Sequence, residues 1–102
     1  MRLTEHQAHV LAQSAVKAFD PQATVRLFGS RLNDGARGGD IDILVQTQLN
    51  DPVKIAQAHI RFLAEVYTHL GEQKIDVLID YPSREARSAV FDVALAEGVL
   101  LK

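Results

Sequence analysis

Three short apolar runs, the first two joined by a glycine-rich loop and the last two by a segment of helical period, constrain this chain more than any other feature, because the second run and the residue just before it carry two carboxylates. Residues 41–45, Ile-Asp-Ile-Leu-Val, follow Asp40 directly, so Asp40 and Asp42 stand one residue apart in a β-branched stretch bounded by Gly38-Gly39. In a strand, residues two apart point to the same face, which puts both carboxylates side by side and Ile41, Ile43 and Val45 on the opposite face, toward a core. Two such charges repel unless a cation lies between them. Mg²⁺, a hard ion taking oxygen ligands and substrate phosphates, is the ordinary solution. The alternative for an isolated Asp-X-Asp is a turn cap beside a solvent-facing strand residue.

The other runs are residues 24–28, closed abruptly by Gly29-Ser30, and residues 74–80, where Asp76 lies between Ile75 and Val77. Glycine permits a sharp turn and close approach of a phosphate to backbone N–H groups, and Ser30 offers a hydroxyl to the same oxygens. The lysine and spacing of a P-loop are missing. Asp76 and Asp80 share a face of the third run, so either is a candidate third acid; a wet edge strand is the plainer explanation for each.

Helices flank these runs, while residues 31–39, with Asn33, Asp34, Gly35, Gly38 and Gly39, have the composition of a loop between the first two. Residues 4–19 place Val10, Leu11, Ser14, Ala15, Ala18 and Phe19 at helical spacing, with Thr4 as N-cap and Gln7 completing a capping box. Asp20-Pro21-Gln22 ends that helix. Asp51-Pro52 is an N-cap followed by proline at N1, opening a helix to about residue 70 with Gly71 as its left-handed stop. Its buried face is expected to comprise Ile55, Ala58, His59, Phe62, Leu63, Val66 and Leu70. A last helix is expected from Ser83, as N-cap, to near Glu97, followed by a short edge strand at residues 99–101. The order αβ-loop-βαβα over 102 residues gives an α+β fold, a small mixed β-sheet covered by helices, in a single domain spanning residues 1–102.

Composition narrows the function classes. With 11 basic and 13 acidic residues, net charge −2, the chain lacks the basic footprint of a dedicated nucleic-acid surface. It has no cysteine, which excludes disulfides and thiolate metal sites. Without an apolar leader or a long apolar run, neither secretion nor membrane insertion is expected, and the localisation expected is cytoplasmic.

Gly29-Ser30, nine intervening residues, Asp40-Ile41-Asp42 and then a later apolar-Asp-apolar strand resemble the polymerase-beta-type nucleotidyltransferase superfamily. The runs Leu27-Phe28-Gly29-Ser30-Arg31-Leu32 and Arg37-Gly38-Gly39-Asp40-Ile41-Asp42-Ile43-Leu44-Val45 are similar to its minimal nucleotidyltransferases in particular. The resemblance implies the nucleotidyltransferase fold and a catalytic set of Asp40, Asp42 and Asp76, which would hold Mg²⁺, two ions in the family. Gly29 and Ser30 would contact the nucleotide phosphates, with Arg31 as a further nucleotide-binding residue. Arg37 and Lys74 are lesser candidates. ATP is the implied substrate. The implied activity is transfer of AMP to a hydroxyl of a partner protein, AMPylation by the antitoxin of a type VII-like toxin–antitoxin pair whose toxin is a HEPN-domain RNase. A hetero-oligomer with that toxin, or with another small helical substrate-binding subunit, follows. Two other classes remain: a catalytically silent antitoxin that neutralises its partner by contact, and a metal-dependent phosphohydrolase, for which the usual His ligands or strand-end nucleophilic Asp are not apparent.

His6 and His9 lie one helical turn apart, a spacing open to a transition metal, though surface positions are the commoner outcome without a third ligand. His59 and His69, ten residues apart on the second helix, share no face. Tyr67 and Tyr81 are read as packing residues.

Overall fold

The computed structural model describes residues 3–29, 40–84 and 89–101. Ser30, Arg31 and Arg37 therefore lie outside the described residues. Among those described, three helices and four strands alternate in the α+β arrangement expected.

Helix α1 (Glu5–Ala18) begins at the expected capping box: Gln7 N–H donates to Thr4 Oγ1 at 3.0 Å, and Thr4 N–H donates back to Gln7 Oε1 at 2.9 Å. Strands β1 (Thr24–Phe28) and β2 (Ile41–Gln46) pair antiparallel. Helix α2 (Pro52–Leu70) then crosses over to β3 (Ile75–Asp80), which lies parallel to β2, as parallel pairing requires. Asp51 caps α2 by accepting from Lys54 N–H at 3.1 Å. Gly71 ends it at φ +76° and ψ 179°, a conformation open essentially to glycine alone rather than the left-handed helical one expected.

Helix α3 (Ala89–Glu97) leads to β4 (Val99–Leu100), which pairs antiparallel with β1. Ser83 is not its immediate N-cap. Ser83 sits in a turn closed by Arg84 N–H donating to Tyr81 C=O at 3.1 Å, and its own N–H donates to Asn50 Oδ1 at 2.9 Å. The strand order is β3-β2-β1-β4.

Alternation along the strands divides the core in two. Val25, Leu27, Ile41, Ile43 and Val45 face α1 and α2, where they meet Leu11, Ala15, Phe62 and Val66. The Phe19 and Phe62 rings meet at 5.9 Å with a 57° tilt. On the opposite face Phe28 and Leu44 pack with Phe91 and Ala94 of α3. Asp42, half-buried, and Asp76, exposed, lie on this same face beside that apolar patch. On α2, Ile55, Ala58, Phe62 and Val66 are buried as expected, while His59, Leu63 and Leu70 are half-buried at the rim.

Candidate active site

Two strands and one turn bring the acids together. Register pairs Asp42 of β2 with Asp76 of β3 and Phe28 of β1 with Asp42. Neighbouring strands lie about 4.8 Å apart, so Asp42 and Asp76, in step on parallel strands, project together from the face that carries α3. Asp40 sits just ahead of β2, with Oδ1 3.7 Å from Nζ of Lys74 at the head of β3. Ile41 N–H donates to Lys74 C=O at 3.0 Å and fixes where the two strand heads meet.

The chain leaves β1 at Gly29 with φ +75°, a left-handed conformation that side chains disfavour. A Cβ at this position would overlap Asp42 Oδ2 and approach Asp42 Cγ to 3.1 Å. The Gly29 backbone therefore lies directly against the Asp42 carboxylate, and glycine is required on both counts.

Electrostatics single out Asp42. Its carboxyl is raised above the ordinary value, chiefly by burial, then by the charge of Asp76 and the hydrogen bond between the two carboxyls, then by Asp40. Two neighbouring acids thus raise the proton affinity of the third, an arrangement of oxygen atoms that positive charge beside it would relieve. Among the described residues, no three His, Asp or Glu side chains are already gathered as a metal-ligand set. Asp40 instead leans on Lys74, which is 83 % exposed, so that pair is a weak and easily exchanged contact.

Family models, curated proteins and solved structures yield no match to this chain. Its chemistry has to be argued from its own residues.

Of the two candidate third acids, Asp76 stands beside Asp42 and Asp80 does not. Asp80 pairs in register with Gln46, four residues further along β3, or roughly 13 Å away. It is buried at that end, where Oδ2 accepts from Gln46 Nε2 at 3.4 Å and its carbonyl accepts from Thr47 N–H at 3.0 Å. Arg26 Nε donates to Gln46 Oε1 at 3.5 Å and extends this polar row across the sheet. Phe28, Leu44 and Leu78 separate it from the acid cluster.

Two groupings escaped the sequence reading. His69 of α2 lines the same cleft as His6 and His9 of α1, a space of about 490 Å³, and its Nε2 is 3.0 Å from Glu65 Oε1. The sequence spacing within α2 carries no sign of this, because the third histidine arrives from another helix. Asp20 does more than end α1: Oδ2 accepts from Thr47 Oγ1 at 2.6 Å and Gln48 N–H at 2.8 Å, and Oδ1 accepts from Gln22 N–H at 2.8 Å. Burial alone would raise this carboxyl. The donors, Thr47 first, then the N–H groups of Gln48, Gln22 and Ala23, outweigh it and hold the carboxyl below the ordinary value. Tyr67 packs against the main core, and Tyr81 lies 5.6 Å from the Arg84 guanidinium.

No helix among the described residues is long and apolar enough to cross a membrane.

Proposed function

We propose that this chain is a Mg²⁺-dependent nucleotidyltransferase that transfers AMP from ATP to a hydroxyl of a partner protein. The observation that carries the reading is the in-register pair Asp42–Asp76 beneath the Gly29 turn, with Asp40 alongside. Asp40, Asp42 and Asp76 are the residues that would hold the metal, and bound there it supplies charge neutralisation at the α-phosphate and alignment of attack with departure. The Gly29 turn brings backbone, unobstructed by a side chain, against the same carboxylate, and its backbone is the proposed phosphate contact. Ser30 and Arg31, adjoining in sequence, are the proposed partners of the β- and γ-phosphates. Asp76 is the proposed acceptor of the proton from the attacking hydroxyl. A bond forms between that oxygen and the α-phosphorus as the bond to the bridging oxygen breaks, and pyrophosphate leaves with the electron pair.

The proposed acceptor is a small helical partner, a HEPN-type toxin on the family resemblance. The test is to incubate the chain and its partner with α-labelled ATP and Mg²⁺, comparing wild type with the Asp40→Ala/Asp42→Ala double variant. Label on the partner that disappears in the variant is the expected result. Neutralisation of the partner that survives the double substitution, with no label transferred by wild type, would refute the catalytic reading in favour of inhibition by contact.

A further inference from the structure

The helix α2 is apolar around most of its circumference. Its inward face, Ile55, Ala58, Phe62 and Val66, is buried in the core. Its outward face should then be polar, as on an ordinary surface helix. Instead Val53 is 63 % exposed and Ile60 is 70 % exposed, with Ala56 and Ala64 exposed around them on the same side and half-buried Tyr67 continuing the line. Val53, Ile60 and Tyr67 recur every seven residues, and Ala56 and Ala64 lie one turn either side of Ile60, so the stripe has the spacing by which one helix receives another. The small alanines beside Ile60 leave room for close approach.

The border of the stripe has a sign. Lys54 and Arg61, seven residues apart and hence about 10.5 Å along the axis, lie on its α1 side. Among the described residues neither has an ion-pair partner. Arg61 shares a groove of about 300 Å³ with Lys17 and Ala18 of α1, and a second of about 230 Å³ with Lys54, Phe19 and Leu49. Two carboxylates lie near these cations and both are engaged: Glu65 by Lys17 at 3.0 Å and His69 at 3.0 Å, and Asp51 by the backbone N–H of Lys54 at 3.1 Å. An apolar ridge bordered by unpaired cations is thus present on a chain whose net charge is −2.

We infer that the outward face of α2 is a docking surface for an amphipathic helix of a partner protein whose apolar stripe is flanked by carboxylates. A second copy of this chain fits less well. In a two-fold antiparallel crossing about Ile60, Lys54 and Arg61 of both copies fall on the same side, setting four cations against Glu65 alone of each copy, which Lys17 and His69 already engage. An acidic helix lying along the stripe sets carboxylates seven residues apart opposite Lys54 and Arg61 and its apolar side chains on Val53, Ile60 and Ala64. The surface is on the opposite side of the sheet from Asp42 and Asp76, and the inference stands whether or not the chain transfers nucleotides.

The test uses two fluorescent designed helical peptides with identical leucine and alanine heptads, one flanked by glutamates and the other by lysines, titrated against the whole chain by anisotropy. The glutamate peptide is expected to bind saturably. Ile60→Glu is expected to weaken it at least about tenfold, and Lys54→Glu/Arg61→Glu to transfer preference to the lysine peptide. All three positions are on the surface, and circular dichroism confirms that the variants fold. Equal binding of both peptides, or binding of neither, overturns the inference. So does sedimentation showing a concentration-dependent dimer of the free chain that Ile60→Glu abolishes, which would assign the face to a second copy.

Discussion

Removing a negative charge from the candidate active site should stabilise this protein. Asp42 and Asp76 face each other in register on adjacent strands, and burial and the neighbouring charges raise the Asp42 carboxyl above its ordinary value near 3.8. Two unit charges about 5 Å apart repel by about 0.8 kcal/mol in bulk water and about 3 kcal/mol at an effective dielectric constant of 20. For a half-buried site open to solvent on one side, a value of about 1–2 kcal/mol is appropriate. In Asp42→Asn the side-chain amide keeps a donor for the contact with Asp76 while the charge at position 42 is removed. At pH 7 without divalent ions, Asp42→Asn should therefore raise the melting temperature by roughly 4–16 °C, since 1 kcal/mol corresponds to about 4–8 °C in a domain of this size. The pH dependence follows from the raised folded-state value: the native protein binds more protons than the unfolded chain, so wild-type stability falls as pH climbs from the unfolded value through the folded one. The penalty is complete above the folded-state value and shrinks as pH falls toward the unfolded value near 3.8, and the variant's advantage shrinks with it. Mg²⁺ should raise the melting temperature of wild type more than that of the variant. Thermal melts followed by circular dichroism, in EDTA and in Mg²⁺ across this range, measure all of this. An Asp42→Asn protein less stable than wild type in EDTA at pH 7, or an advantage indifferent to pH, would refute the electrostatic argument.

Gly29→Ala should cost more than about 1 kcal/mol in urea denaturation, because it combines a side chain at positive φ with overlap of the Asp42 carboxylate. Under the proposed function it should also depress nucleotide transfer through displacement of Asp42. Asp20→Ala, which strands the donors of Thr47 and Gln48, should cost about 2 kcal/mol at pH 7. The Asp20 carboxyl lies below its ordinary value when folded, so the wild-type advantage is present above the unfolded value near 3.8 and disappears as acid titrates the folded form; melts at pH 7 and pH 2.5 separate the two regimes. Under the proposed function, Asp76→Asn should lower the transfer rate by about 10²–10⁴-fold in single-turnover labelling, while Asp80→Asn leaves the rate per folded molecule within a few-fold.

Local signals read well from sequence where one residue type has one physical reason to be present. The Thr4–Gln7 box, the Asp51 cap with Pro52, and the alternation of Ile41, Ile43 and Val45 each describe a few bonds within one turn or strand, and each is found as expected. Ser83 lies instead in the turn at residues 81–84, where its backbone N–H donates to Asn50, thirty-three residues away, a contact no local pattern encodes. The cleft that unites His6, His9 and His69 has the same origin, the packing of α1 on α2.

The acid pair lies between these extremes. The apolar residues Ile75, Val77 and Ile79 must face α1 and α2, and a slip of one residue would turn all three to the other side while driving Asp76 and Asp80 into the core. That parity is legible in the sequence, and it already commits Asp76 and Asp80 to the face that carries Asp42. A slip of four residues preserves parity and would set Asp80 against Asp42, so alternation cannot choose which of the two acids meets Asp42. The Ile41–Lys74 hydrogen bond at the strand heads makes the choice, setting Asp42 against Asp76 and Gln46 against Asp80. Its position depends on how far α2 carries the chain back before Gly71 turns it into β3. The length of a helix thus determines which carboxylate stands beside Asp42.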